Sequence, residues 1–248
     1  MGRPDAPLIA INGLYIDGEK PRLELANRYA DAVLKAGGIP VAVPPVGGPH
    51  DLERLLERVD GLVLTGGDDF TTEPLGLGPT HPAADRTPLV KQEFDFALTR
   101  AALARGVPVL GICYGMQVLG LAEGARLWQH LPDDAPKSAD HTGGIVHSVR
   151  IQTESKLARL VGVERLNVVS RHHQALERVA PPWRIVATAD DGVTEAIERD
   201  DHPFALGVQW HPELAHEGSE HDRLFRGLVG AAALAAARTS FAPAMESR

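Results

Sequence analysis

The stretch Val109-Leu-Gly-Ile-Cys113-Tyr-Gly-Met-Gln117-Val-Leu-Gly120 contains the only cysteine of the chain. Apolar residues 107–112 read as a strand and residues 114–123 as a helix, with glycines two positions before and two after Cys113. This is the layout of a nucleophile elbow, a sharp strand-to-helix turn that lifts one side chain off a sheet edge. A helix N-terminus there supplies positive partial charge that favours a thiolate. Gly111 and Gly115 permit the strained turn and a close backbone approach. The competing reading is a buried structural cysteine, because free cysteine is among the most buried residue types. The flanking glycines and Gln117 argue against it.

Upstream of the elbow, short apolar runs alternate with amphipathic ones. Residues 8–11 read as a strand and 23–36 as a helix closed by Gly37-Gly38. Residues 39–43 form the next strand, stopped by Pro44-Pro45. Asp51 caps a helix whose Leu52, Leu55, Leu56 and Val59 share one face. Residues 61–64 are a third strand, and 88–105 a helix that leads to the elbow. Such alternation implies a parallel sheet covered on both faces, with ligands at the carboxyl ends of its strands.

Downstream, residues 146–151, 167–169, 183–188, 194–198 and 205–209 are closely spaced strands. Asp190-Asp191-Gly192 is a hairpin signal between two of them. The expected architecture is a three-layer α/β sandwich with a mostly parallel central sheet and a small antiparallel extension. Residues 222–236 close it as a helix. The whole chain, 1–248, reads as one domain with its core at about 8–237 and a frayed tail at 239–248.

The bulk numbers agree with an ordinary globular protein, at 44% hydrophobic and 23% charged residues. A net charge of −8 argues against a nucleic-acid partner. One cysteine makes no internal disulfide, so no oxidising compartment is implied. No apolar run is long enough to span a bilayer, and residues 1–7 lack the apolar stretch of a signal peptide. A cytoplasmic location is expected.

Near the C-terminus an apolar run ends in His211-Pro-Glu213. Residues i and i+2 of an extended segment point the same way. Glu213 can then orient the His211 ring and leave the other imidazole nitrogen for a thiol, the division of labour in nucleophilic triads. Thr65-Gly66-Gly67-Asp68-Asp69 follows the third strand. A Gly67 N–H together with that of Tyr114 can form an oxyanion hole. Arg171-His172-His173-Gln174 is a polar loop suited to substrate contact. A zinc site from His211, His216 and His221 is disfavoured, because a five-residue spacing does not stack on one helical face. His50, His81, His130, His141, His147 and His202 show no recognisable spacing and read as structural or surface residues.

Together these segments resemble the class I glutamine amidotransferase superfamily, and within it the γ-glutamyl-γ-aminobutyrate hydrolase family, also called peptidase C26-like. The resemblance runs from Ile9 to about Gly230. It is carried by Ala36-Gly-Gly-Ile-Pro40, Asp60-Gly-Leu-Val-Leu-Thr-Gly-Gly67, Gly111-Ile-Cys-Tyr-Gly-Met-Gln117, Ser170-Arg-His-His-Gln174, Asp191-Gly-Val-Thr-Glu-Ala-Ile-Glu198 and His202-Pro-Phe-Ala-Leu-Gly-Val-Gln-Trp-His-Pro-Glu213. The last is the most specific. The resemblance implies a flavodoxin-like fold, with Cys113 as nucleophile, His211 as base then acid, and Glu213 as the orienting carboxylate. It also implies an oxyanion hole at the Gly67 and Tyr114 amides, and substrate contacts from Gln117, Ser170 and His172. No metal or organic cofactor is required, and the partner is a small γ-glutamyl substrate; a homodimer is left open.

The sequence departs from the family at Phe70-Thr-Thr-Glu-Pro74, at Lys91-Gln92, at Val169 and at Tyr114, where Arg is usual. These positions are expected at the pocket mouth, where they bear on the leaving group. Two alternatives stand beside a γ-glutamyl hydrolase. One is a glutaminase subunit that delivers ammonia to a separate synthase; no synthase domain is fused here, which favours the stand-alone hydrolase. The other is a non-catalytic binding module on the same fold.

Overall fold

The computed structural model describes residues 6–45 and 47–240. The readings of residues 1–5 and of the tail beyond residue 240 lie outside these. Strand β1 (Leu8–Ile11) leads into a hairpin of β2 (Leu14–Ile16) and β3 (Arg22–Glu24). Next come α1 (Asn27–Lys35), β4 (Ile39–Ala42), α2 (Pro49–Leu56), β5 (Gly61–Leu64), α3 (Leu89–Ala104), β6 (Val109–Ile112) and α4 (Tyr114–Leu121). The second half holds β7 (Arg126–Trp128), α5 (Leu131–Asp134), β8 (Ile145–Ile151), α6 (Lys156–Val161), β9 (Arg165–Ser170) and β10 (Ala175–Arg178). It ends with β11 (Trp183–Ala189), β12 (Thr194–Arg199), β13 (Ala205–Val208) and α7 (Asp222–Ser240).

Nine strands make one sheet in the order β4-β1-β5-β6-β13-β12-β11-β8-β9. Neighbours from β4 to β13 are parallel, and those from β13 to β9 antiparallel. The inner parallel strands β1, β5, β6 and β13 are apolar because both their faces are covered. On one face, Val33 of α1 and Leu224, Phe225 and Leu228 of α7 pack on Ile9, Ile11 and Val63. On the other, Leu52 of α2, Leu98 of α3 and Leu119 of α4 pack on Ala10, Leu62 and Leu64. The turn at Asp190-Asp191-Gly192 joins antiparallel β11 and β12, with Gly192 at φ 92°. Among the described residues no helix is long and apolar enough to cross a membrane.

Several local expectations are corrected. The helix expected at 23–36 starts only at Asn27, because Arg22–Glu24 pairs with Leu14–Ile16. That hairpin lies so close that a Cβ on Gly13 would sit 2.6 Å from the Glu24 carbonyl oxygen. Asp51 is not the N-cap of α2. It is the third helical residue, and its carboxylate accepts the Gly48 N–H at 3.0 Å, the return half of a capping box. The last helix runs to Ser240, so residues 239 and 240 are helical rather than frayed; its Ala-rich run has high helix propensity. The two-stranded sheet of β7 and β10 is too short to leave a periodic signal.

Candidate active site

Strands β6 and β13 are parallel neighbours with Gly111 opposite Gly207 and Ile112 opposite Val208. Their carboxyl ends therefore lie side by side, and residues far apart in sequence meet there. Cys113 stands at the N-terminus of α4, its N–H bonded to the Val208 carbonyl at 2.8 Å. Its backbone is at φ 51°, ψ −107°; among the described residues it is the one non-glycine at positive φ. Such conformations cost about 1–3 kcal/mol and concentrate at functional sites. The cysteine itself carries the strain. The flanking glycines instead allow close packing: a Cβ on Gly111 would lie 2.6 Å from the Gly115 carbonyl oxygen, and one on Gly115 only 2.1 Å from that of Leu64.

Cys113 is buried, 7% exposed as a residue. Gln209 Nε2 donates to its sulfur at 3.4 Å, and the His211 ring is close enough for the same sulfur to act on it electrostatically. His211 Nδ1 is 2.7 Å from Glu213 Oε1, which leaves Nε2 for the sulfur. Glu213 lies in a single 3-10 turn, Pro212–Leu214, so the pair forms across a turn rather than along an extended strand. Burial alone would lower the imidazole pKa, but the Cys113 sulfur and then Glu213 outweigh it and push it up to about 10. His211 is thus held as imidazolium beside its acidic neighbours. Because its folded value is raised, this contribution to stability is fully present below the unfolded value of about 6.5 and is lost as pH rises through about 10. In an NMR titration the His211 ring is expected to deprotonate near pH 10, and well below that in Cys113→Ala. An unchanged midpoint in the variant would show that the sulfur does not set it.

The Gly66 N–H is taken by the Tyr29 hydroxyl at 3.1 Å. The N–H groups of Gly67 and Tyr114 have no acceptor among the described residues. A Cβ on Gly67 would lie 3.3 Å from the Tyr114 ring, which brings these two residues together. Beside Gly67 opens a cavity of about 830 Å³, lined by Tyr29, Gly66, Gly67, His211 and Glu213. Arg28, Arg171, Glu24 and Asp68 also line it, so its wall carries charges of both signs.

Other expected contact residues lie deeper. Gln117 is buried; its Nε2 donates to the Gln174 carbonyl at 3.0 Å and to Gln209 Oε1 at 3.1 Å. Through Gln209 it reaches the sulfur. Ser170 and His172 are buried, with Ser170 Oγ on the His141 carbonyl at 2.7 Å and His172 Nδ1 on that of Gln174 at 2.9 Å. Their neighbours Val169 and Arg171 line the cavity instead. Sequence reasoning missed Gln209 and Tyr29, while Arg171 belongs to the loop it singled out for substrate contact. Gln209 had a signal, since it alternates with His211 along the same strand end.

Three departures, Phe70, Lys91 and the Tyr114 side chain, prove to be packing rather than pocket mouth. Phe70 is fully buried and stacks on Tyr114, their centroids 4.6 Å apart. Lys91 is buried beside the same ring, 5.1 Å from its centroid, and pairs with Asp95. Asp95 in turn accepts from Asn12 Nδ2 at 2.9 Å, and Asn12 Oδ1 accepts the Thr65 N–H at 2.7 Å. This buried network ties the turn after β5 to α3. Val169 does lie at the cavity, as expected.

The sequence pattern of the family described as Peptidase C26 matches residues 7–213. A protein of Mycobacterium tuberculosis named as a glutamine amidotransferase is 41% identical over 86% of this chain and 68% of its own. The γ-glutamyl-γ-aminobutyrate hydrolase PuuD of Escherichia coli is 32% identical over 84% of this chain and 85% of its own. Among solved structures, the glutaminase domain of the Trypanosoma brucei CTPS superposes with a TM-score of 0.66 at 18% identity, covering 92% of this chain and 94% of that one. At that identity the likeness shows the class I glutamine amidotransferase fold and nothing more.

Proposed function

The chain belongs to the peptidase C26 family and is a hydrolase of the glutamine amidotransferase type; on that premise we propose that it cleaves the γ-glutamyl amide bond of a γ-glutamyl–amine conjugate. The observation that carries this reading is the meeting of Cys113, at the head of α4, with the hydrogen-bonded His211–Glu213 pair, whose ring the sulfur acts on electrostatically. The Cys113 thiolate attacks the γ-carbonyl carbon. The resulting oxyanion is met by the Gly67 and Tyr114 N–H groups. The His211 imidazolium protonates the departing amine as the C–N bond breaks, which leaves a γ-glutamyl thioester on Cys113. Neutral His211 then takes a proton from water as the water attacks the thioester, and glutamate leaves with the thiolate restored. Glu213 holds the ring in the tautomer these transfers need. Gln117 acts through Gln209, which steadies the sulfur.

The cavity wall supports a zwitterionic substrate. Glu24 and Asp68 suit the α-ammonium of a glutamyl group, and Arg28 and Arg171 suit carboxylates. A leaving amine with its own carboxylate, such as γ-aminobutyrate, would use the second cation. Arg171→Gln is expected to raise KM for γ-glutamyl-γ-aminobutyrate about tenfold, equivalent to ~1.4 kcal/mol, and to leave KM for a γ-glutamyl amine without a carboxylate nearly unchanged. Equal effects on both would remove Arg171 from leaving-group recognition. The test of the reaction is glutamate release from a panel of γ-glutamyl conjugates and glutamine, run beside Cys113→Ala. Cleavage of conjugates faster than glutamine supports the reading. Activity only on glutamine, or equal activity in the variant, overturns it.

A further inference from the structure

Beyond the cysteine, three histidines converge on one buried carboxylate. Glu195 on β12 is fully buried, and neither of its carboxylate oxygens has a hydrogen-bond partner. Its Oε1 lies 3.3 Å from His147 Nε2, 3.5 Å from His141 Nδ1 and 3.6 Å from His172 Nε2. His141 and His172 are themselves buried, and His147 is the more exposed member.

The opposite nitrogen of each ring is engaged elsewhere. His141 Nε2 is 2.9 Å from Asp191 Oδ2, and His172 Nδ1 is 2.9 Å from the Gln174 carbonyl. His147 Nδ1 lies 3.4 Å from the Ser148 carbonyl. Carboxylates and carbonyls only accept, so these nitrogens carry the ring protons. The nitrogens that face Glu195 then carry lone pairs in the neutral rings. Ser170 Oγ lies 3.3 Å from His141 Nδ1, but its single proton goes to the closer His141 carbonyl at 2.7 Å, so it donates nothing to that lone pair. Lone pairs aimed at a buried carboxylate call for positive charge between them.

The distances bear on the kind of charge. Charge-assisted N–H···O⁻ bonds are about 2.7–2.9 Å long, shorter than the three contacts here. Two ligands at about 2.0–2.1 Å from zinc, at a tetrahedral angle, are separated by roughly 3.3–3.4 Å. The facing atoms of His141, His147 and Glu195 all lie within 4.8 Å of one another. We propose that His141 Nδ1, His147 Nε2 and Glu195 bind one divalent ion of the zinc class, flanked by His172. Asp191 behind His141 supplies the carboxylate–histidine arrangement that fixes the tautomer of a metal ligand. An imidazole-rich set with one carboxylate suits zinc over calcium or magnesium, which prefer all-oxygen shells.

The ion would act as a structural tie. It joins the loop before β8, β8 itself and β12. Through His172 it steadies the Gln174 carbonyl, which also accepts from Gln117. Sequence spacing hides the set, because its members come from different strands and loops.

The test uses the full chain without an affinity tag of histidines, stripped by chelator dialysis and then titrated with zinc. One equivalent per chain is expected to bind tightly and to raise Tm, and cobalt in its place is expected to give the intense visible bands of tetrahedral coordination. His147→Ala and Glu195→Gln should each weaken zinc binding roughly 100-fold or more, with the fold checked by circular dichroism. His147 is partly exposed, so its variant decides the matter if Glu195→Gln does not fold. His130→Ala, in the separate group of His81, His130 and His173, should leave zinc binding unchanged. No zinc or cobalt bound by the wild-type chain, or the same affinity in His147→Ala, overturns the proposal; protons would then supply the charge.

Discussion

Replacing Cys113 with alanine is expected to leave a folded protein whose hydrolysis rate falls roughly 10⁴- to 10⁶-fold, the loss seen when a covalent nucleophile is removed from a triad. The Gly67 and Tyr114 amides and the cavity stay in place, but no thioester can form. By comparison, one oxyanion donor is worth roughly 10²- to 10³-fold, so the thiol outweighs either amide. The change is small in volume, so stability should shift little. Backbone strain offers a second readout at the same position. Alanine keeps the unfavourable φ of 51° and ψ of −107°, whereas glycine does not. Cys113→Gly should therefore be about 1–2 kcal/mol more stable than Cys113→Ala in urea denaturation, and equally inactive. Measurable turnover in either variant would place the nucleophile elsewhere; equal stabilities would mean that the elbow stores no strain.

Gly115→Ala is expected to destabilise the fold by about 3 kcal/mol or more, the opposite of what helix propensity alone suggests. Within a helix, alanine is favoured over glycine by about 1 kcal/mol. Here the new Cβ would lie 2.1 Å from the Leu64 carbonyl oxygen, a backbone atom of β5 that cannot rotate away. Relief requires α4 to lift off the sheet, which parts it from Leu64 and moves Cys113 and Tyr114. Activity should fall with stability. Gly230 provides the control. It lies within α7, and a Cβ there would meet nothing within 4 Å. Gly230→Ala should stabilise the protein by about 0.5–1 kcal/mol. Urea denaturation of both variants checks the pair, and a Gly115→Ala protein as stable as the wild type would mean that α4 does not pack on β5 this closely.

Much of the parallel half was legible because its cues are local. The apolar runs at residues 8–11, 61–64 and 109–112 are bounded by turn residues, and each is a strand near its expected place. The hairpin at Asp190-Asp191-Gly192 follows from turn chemistry. The region of residues 22–26 misled because Leu23, Ala26 and Tyr29 mimic a helical face, whereas pairing with Leu14–Ile16 draws the first residues into a strand. Phe70, Lys91 and Tyr114 looked like the rim of a pocket. They are interior, and only the packing of α3 and α4 across the end of β5 puts them there.

The chain by itself determined the elbow, the glycine turn and the His-Pro-Glu ending, because each is written within a few consecutive residues whose conformational preferences act locally. Tertiary structure alone decided what those pieces touch. The parallel register of β6 on β13 sets Gln209 and His211 beside a cysteine nearly a hundred positions away. The antiparallel strands gather three histidines with no common spacing around Glu195. Contacts of that kind depend on strand order and register, which arise from burying whole faces of a sheet at once and are carried by no single segment.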